Sequence, residues 1–166
     1  MNNTIHLDHD FEPPKNTSLK NTYLEALAPK HNDMDYDAWS TSKEELRGIF
    51  GPNTEWPFDV HSKEQNREDL AKHYREFEEK VAFAYTLLNK EKNLCVGCLY
   101  IGATPLQNHD ARVDFWFRTS HRHLESDFFD ELKIWLKTKW CFTKVVFPGR
   151  NMSWEDYNTR VEKNCQ

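Results

Sequence analysis

Residues 111–119 read ARVDFWFRT, an alternating run. Successive side chains on a strand point to opposite faces of the sheet. Val113, Phe115 and Phe117 therefore take one face, and Arg112, Asp114, Trp116 and Arg118 the other. Two apolar runs lie upstream, VAFAYTLLN at 81–89 and NLCVGCLYIGA at 93–103. The charged pair Glu91-Lys92 between them reads as a tight hairpin turn, and TPLQNHD separates the second run from the third. Three strands in succession predict an antiparallel meander, which any fold for this chain must accommodate.

The flanking segments alternate between helix and strand. SDFFDELKIWLKTKW (126–140) has Phe128, Leu132, Trp135 and Leu136 on one face, acids at its start and lysines at its end, as a helix dipole favours. FTKVVFPG (142–149) is a short buried strand ending at Pro148. A strand, a helix and a strand in that order predict a parallel crossover beside the meander. NMSWEDYNTRVEKN is a last helix, capped by Asn151 or Ser153, with Trp154, Tyr157 and Val161 at helical spacing. Upstream, TIHLDHDF is weakly strand-like. SLKNTYLEALA predicts a helix capped by Ser18, and STSKEELRGIF another, with Ser42 and Glu45 as a capping box. SKEQNREDLAKHYREFEEK predicts a helix with Ser62 and Gln65 at its start and Leu70, Tyr74, Phe77 and Val81 as its buried stripe. We read residues 1–166 as a single α+β domain, with no repeat or linker.

Composition narrows the function. Aromatic residues make up 14 % of the 166 residues and stand in for a thin aliphatic core. No window is apolar enough to span a membrane. The N-terminus has no basic stretch followed by an apolar one, so no signal peptide is expected. A net charge of −5 disfavours nucleic acid as the main partner and suits a neutral or cationic one. Cys95 and Cys98 have C-x-x-C spacing inside a strand. Residues three apart on a strand face opposite sides, so buried free thiols, no metal and a cytoplasmic location are expected. His121 and His123 lack a third ligand nearby, which also argues against a metal.

Four stretches carry a resemblance: VGCLYIG with Gly97, ARVDFWFRT, FDELKIWLKTKW, and FPGRNMSWEDY with its Asn-led helix. With the element order, they resemble the GNAT acyl-CoA N-acyltransferases, specifically from about residue 93 to 157. More narrowly, EWPFDV, FAYTLL, WFR and KTKWCF resemble a divergent bacterial subgroup of them. The resemblance implies an α/β (α+β) fold with a mixed, mostly antiparallel central sheet flanked by helices. The two strands that usually follow the Asn-led helix in that family are expected to be missing. It implies that the strand at 111–119 and the strand at 142–149 splay apart, and that acetyl-CoA lies in the gap as co-substrate. It implies a small-molecule or peptide amine as acceptor, read at residues 16–57. An unfinished sheet edge would favour a homodimer.

The resemblance also implies roles. Trp116, Phe117 and Arg118 on the strand, Ser120, His121, Arg122, His123 and Ser126 in the following loop, and Asn151 would hold the cofactor. Asp114 would be the general base, or else an ion-pair partner of Arg112 or Arg118. Tyr157 would protonate the leaving thiolate, or else pack the last helix. Apart from the resemblance, Trp56 and Tyr100 are read as lining the acceptor pocket, or else as core. The chain departs from the family at one motif: Q/R-x-x-G-x-G/A, with its Arg aligned to Arg122, has Glu125 and Asp127 at its glycine positions. Ser126 reads as the helix cap. Two functions follow: an N-acetyltransferase, or a non-catalytic GNAT-like ligand-binding or regulatory protein.

Overall fold

The structure, a computed structural model, describes residues 4–165 and places six strands in one sheet in chain order. Strands β1 (Asn16–Leu19) and β2 (Thr22–Ala26) form a hairpin where the sequence predicts a helix. Leu19, Tyr23 and Leu27 satisfy a helical spacing, but Thr22, Leu24 and Ala26 also alternate, and their burial makes the strand the better solution. Lys20 adopts a left-handed backbone (φ 47°) at the two-residue turn, and the Thr22 hydroxyl donates to the Leu19 carbonyl at 2.9 Å. The strand expected at 4–11 is irregular, although Ile5 is buried in the core.

Helices α1 (Asn32–Ser40), α2 (Lys43–Leu46) and α3 (Lys63–Glu78) follow. Ser62 caps α3 through the Gln65 N–H, as its sequence suggests. Ser42 makes no cap on α2. Its hydroxyl accepts from the Thr119 N–H at 3.0 Å instead, and α2 ends after one turn. Tyr74 and Val81 lie outside the buried stripe of α3, at 36 % and 50 % exposed. Asn66, Leu70, His73 and Phe77 face inward, a polar residue at every second step.

The meander stands as read: β3 (Phe83–Leu88), β4 (Cys95–Gly102) and β5 (Ala111–Phe117) pair antiparallel. The turn between β3 and β4 is longer than Glu91-Lys92. The Asn89 side-chain oxygen accepts from the Asn93 and Leu94 N–H groups, and Lys92 takes the left-handed conformation. A bulge at the β3–β4 register shift leaves Val96 unpaired. It overturns the C-x-x-C expectation, because an extra residue returns Cys95 and Cys98 to the same face. Gly97 is required: a Cβ there would stand 2.0 Å from the Trp116 carbonyl oxygen.

A 3-10 turn (Thr119–Leu124) leads into α4 (Glu125–Thr138). The helix starts one residue ahead of Ser126, which is therefore not its cap. Strand β6 (Val145–Val146) pairs parallel to β5, and α5 (Trp154–Asn164) follows, capped by Ser153 through the Asp156 N–H. Phe115 and Phe117 pack edge-on to Phe128 of α4, each at 5.2 Å between ring centroids. The opposite face of the sheet carries Cys95, Cys98 and Trp116 against Trp39 and Leu70. That face holds the candidate acceptor side.

Candidate active site

Strands β5 and β6 are paired only at Ala111–Val145 and Arg112–Val146. Beyond that point β5 runs on to Phe117 while the chain after Val146 turns away at Pro148. The splay leaves a cleft of about 260 Å³ between Asp114, Phe115, Pro148 and Arg150, with Arg122 and Glu125 at the α4 end. Backbone groups of β5 that lack a sheet partner face this cleft, which suits an extended ligand chain.

The Arg150 guanidinium lies across the gap. It donates to the Phe115 carbonyl at 2.9 Å and to Glu125 Oε1 at 2.5 Å, and stacks 3.6 Å from the Phe115 ring centroid. Arg122 stands 3.7 Å from the other Glu125 oxygen. The acid at a motif glycine position is thus neutralised by two arginines rather than left facing the cleft alone. Arg150 was not legible as a site residue; its position directly before the Asn-led helix is the one signal.

The other residues read from sequence divide between several places. His121 and His123 stack at 5.9 Å, Ser120 pairs with His121 Nδ1 at 2.8 Å, and Arg122, His123 and Ser126 are exposed at the foot of α4. Arg118 turns away from the cleft: it donates to the Cys95 carbonyl, Asp37 and Thr41, bracing α1 against the sheet. The Phe117 ring is core. Asn151 spends its amide on the turn, accepting from the Phe147 N–H at 2.8 Å and donating to the Val145 carbonyl at 3.1 Å. Tyr157 is buried beside Trp154 and Arg112 and lines neither this cleft nor the pocket described next.

On the α1–α3 side of the sheet lies a pocket of about 390 Å³. Trp39, Phe50, Trp56 and Tyr100 form its walls, with Phe50–Trp56 at 5.0 Å and Phe50–Tyr100 at 5.3 Å between centroids. Trp56 and Tyr100 thus come together as a pocket wall. Trp116 sits behind them, 1 % exposed, donating to the Tyr100 hydroxyl at 3.2 Å.

Asp35 and Asn66 lie at the pocket floor. Asp35 is 4 % exposed, with Oδ2 accepting from Asn66 Nδ2 at 2.9 Å and Oδ1 from the Cys98 thiol at 3.3 Å. Burial pushes the Asp35 carboxyl up, and burial likewise pushes the Cys98 thiol up. The ligand atoms of Asp35, Cys95 and Cys98 lie within 4.8 Å of one another, a set able to take a soft divalent metal. His73 also lines the pocket, 3.6 Å from Glu76, and burial lowers its pKa toward the neutral form. The sequence hid Asp35, Asn66 and His73. The signal for the α3 pair was a polar residue recurring on the apolar stripe.

Asp114 borders both the cleft and the pocket. The Arg112 guanidinium holds it through Nε at 2.7 Å and a second contact at 3.3 Å, so the ion pair with Arg112 is present and one with Arg118 is not. Burial raises the Asp114 pKa, outweighing the opposite pull of Arg112 and Arg150.

No family model matches this chain, and no curated protein matches it. Solved structures do. RimL, a ribosomal-protein alpha-N-protein acetyltransferase in complex with coenzyme A, superposes with a TM-score of 0.65 at 18 % identity, over 90 % of this chain and 82 % of its own. The chain has the GNAT acetyltransferase fold. A microcin C7 self-immunity acetyltransferase, MccE, in complex with acetyl-CoA and AMP gives a TM-score of 0.63 at 12 % identity, over 92 % of this chain and 82 % of its own. An acetyltransferase from Salmonella typhimurium that modifies the N-terminal serine of a 50S ribosomal subunit protein gives 0.60 at 15 % identity, over 87 % of this chain and 79 % of its own. The parting of β5 and β6 that the sequence resemblance implies is present, with only two residue pairs joining them. No helix among the described residues is long and apolar enough to cross a membrane.

Proposed function

We propose that this chain is a GNAT-type N-acyltransferase that moves an acetyl group from acetyl-CoA to an amine. One observation carries the reading: the β5–β6 cleft and the aromatic pocket both border Asp114. A donor in the first and an acceptor in the second would bring thioester and amine together at one carboxylate. Neighbours of the same fold that hold coenzyme A or acetyl-CoA support the donor's identity.

Acetyl-CoA supplies the activated acetyl group. The edge of β5 that β6 leaves open from Val113 to Phe117 offers hydrogen bonds to its extended arm, once Arg150 leaves the Phe115 carbonyl. Arg150 and Arg122 are then free to face the phosphates. A carboxylate about 4 Å from a phosphate charge costs about 1 kcal/mol at water's dielectric and roughly 4 at an effective value of 20. Two guanidiniums beside Glu125 offset that cost and replace the glycine-lined cradle with side-chain charge. Ser120, His121, His123 and Ser126 are not among the cleft's lining residues, and only the outer part of the cofactor would reach them.

Asp114 takes the amine proton as attack proceeds, and its raised pKa makes it a better base than an exposed Asp. Arg112 fixes its orientation. Tyr157 acts through Arg112, against which its ring lies at 5.2 Å, rather than on the leaving thiolate. Trp56 and Tyr100 hold the acceptor, and Trp116 backs them.

Calorimetric titration with acetyl-CoA and with CoA tests this. Binding in the micromolar to millimolar range, followed by acetyl transfer to an added amine, is expected. No binding at millimolar concentration of either would overturn it and leave a GNAT-like protein serving another ligand.

A further inference from the structure

Asp35 is a buried carboxylate with no cation of its own. Its partners are an amide and a thiol, and it makes no ion pair among the described residues. A buried charge in that position is costly unless a counterion reaches it. The pocket's own cations are taken: Arg112 by Asp114, and Lys72 by Glu76 at 3.7 Å. Asp35 nevertheless borders the open pocket, so a counterion can come from a ligand.

Two further carboxylates line the same pocket: Asp69, which is exposed, and Asp114, further along it. Asp35 bonds to Cys98 of β4, whereas Asp114 of β5 pairs with Tyr100, two residues on. Two residues of strand span roughly 7 Å. A zigzag chain of about four or five carbons between two nitrogens covers that length, with bonds of about 1.5 Å. Between the two acids the walls are Trp39, Phe50, Trp56 and Tyr100. Their faces attract a cation and their area shelters methylenes from water.

We propose that the acceptor is a compact dibasic amine, anchored through one ammonium at Asp35 and acylated at the other nitrogen beside Asp114. This rests on the acyltransferase reading above. The anchored nitrogen stays protonated and supplies the cationic partner that Asp35 lacks among the described residues. The reacting nitrogen, as the free amine, attacks the thioester carbonyl. Its C–N bond forms as the C–S bond breaks, Asp114 receives the amine proton and passes it to solvent, and the thiolate takes a proton from solvent to leave as CoA thiol. A folded polypeptide terminus carries no second cation at a fixed reach and leaves Asp35 unpaired.

The test is calorimetric titration of the full chain with 1,4-diaminobutane, with 1-aminobutane, and with a short peptide bearing a free N-terminal serine. The diamine is expected to bind at least tenfold more tightly than either. In Asp35→Asn the preference falls below threefold while the melting transition shows the protein folded. Equal binding of all three probes, tighter binding of the peptide, or no diamine binding at millimolar concentration overturns the proposal. EDTA-treated protein keeps the preference; its loss there would assign the anchor to a metal at Asp35, Cys95 and Cys98 and overturn it equally. Separate titration with acetyl-CoA distinguishes the two failures. Diamine binding without acetyl-CoA binding defeats the acyltransferase reading alone, and the reverse defeats only the dibasic acceptor.

Discussion

The cleft and the pocket meet at Asp114 but are built by opposite means. The cleft comes from backbone: β6 parts from β5 after two residue pairs, and arginines fill the space. The pocket comes from side chains: four aromatic walls on one helix, a loop and a strand close over a carboxylate that has no ion pair among the described residues. A cleft set by strand geometry keeps its shape whatever lines it, and here Glu125 stands in the lining where the resemblance expects a glycine, while Asp127 lies outside it and pairs with Lys20. A pocket set by side chains changes with each substitution. The proposed donor side is therefore where the fold speaks most clearly, and the proposed acceptor side is where this chain is individual.

Asp114→Asn breaks both at once. We expect turnover to fall about 10²- to 10⁴-fold, the usual worth of a positioned base, while acetyl-CoA still binds in calorimetry. A variant that kept turnover would move the base elsewhere, with His73 the next group in reach. Asp114 must be ionised to act, and burial raises its pKa. The acidic limb of the pH–rate profile should therefore lie above the ordinary Asp value of about 3.9.

Glu125→Gln sharpens the cleft. It removes a charge near the phosphate position and releases Arg150, so CoA should bind about tenfold more tightly, within the range of roughly 1–4 kcal/mol expected for such a pair. Amine binding should not change. Trp56→Ala does the converse, weakening a cationic acceptor about fivefold, in line with about 1 kcal/mol for a cation–π contact, and leaving CoA binding intact. Parallel calorimetric titrations read both.

The pocket also has a signature in stability. Asp35 is pushed up in the fold by burial, so the neutral form is favoured there. Its contribution is fully present below the unfolded pKa of about 3.9 and is lost as pH rises through the raised folded value. Asp35→Asn should flatten that decline in chemical denaturation across pH. Ser153→Ala, by comparison, removes a 3.1 Å cap from α5 and should cost about 1 kcal/mol at every pH.

What the sequence disclosed follows the same division. Alternation at 111–117 placed β5 and its two faces, and apolar runs with a crossover helix placed β4 and the parallel β6. Those signals are local and periodic. The β1–β2 hairpin escaped because Leu19, Tyr23, Leu24 and Leu27 fit a helical period equally well over so short a span. The common face of Cys95 and Cys98 escaped because one bulge residue reverses alternation, and nothing in CVGC announces a bulge. Arg150, Asp35 and His73 escaped because their roles depend on partners 25 or more positions away: Glu125 for Arg150, Asn66 and Cys98 for Asp35, and Tyr100 for His73.

If the β5–β6 cleft receives the donor with its reactive end at Asp114, a crystal structure of the protein with CoA will show it. We expect Arg150 withdrawn from the Phe115 carbonyl, the extended arm hydrogen-bonded along residues 113–117, and the thiol beside Asp114. CoA bound elsewhere, with Arg150 still joined to Phe115 and Glu125, would contradict it.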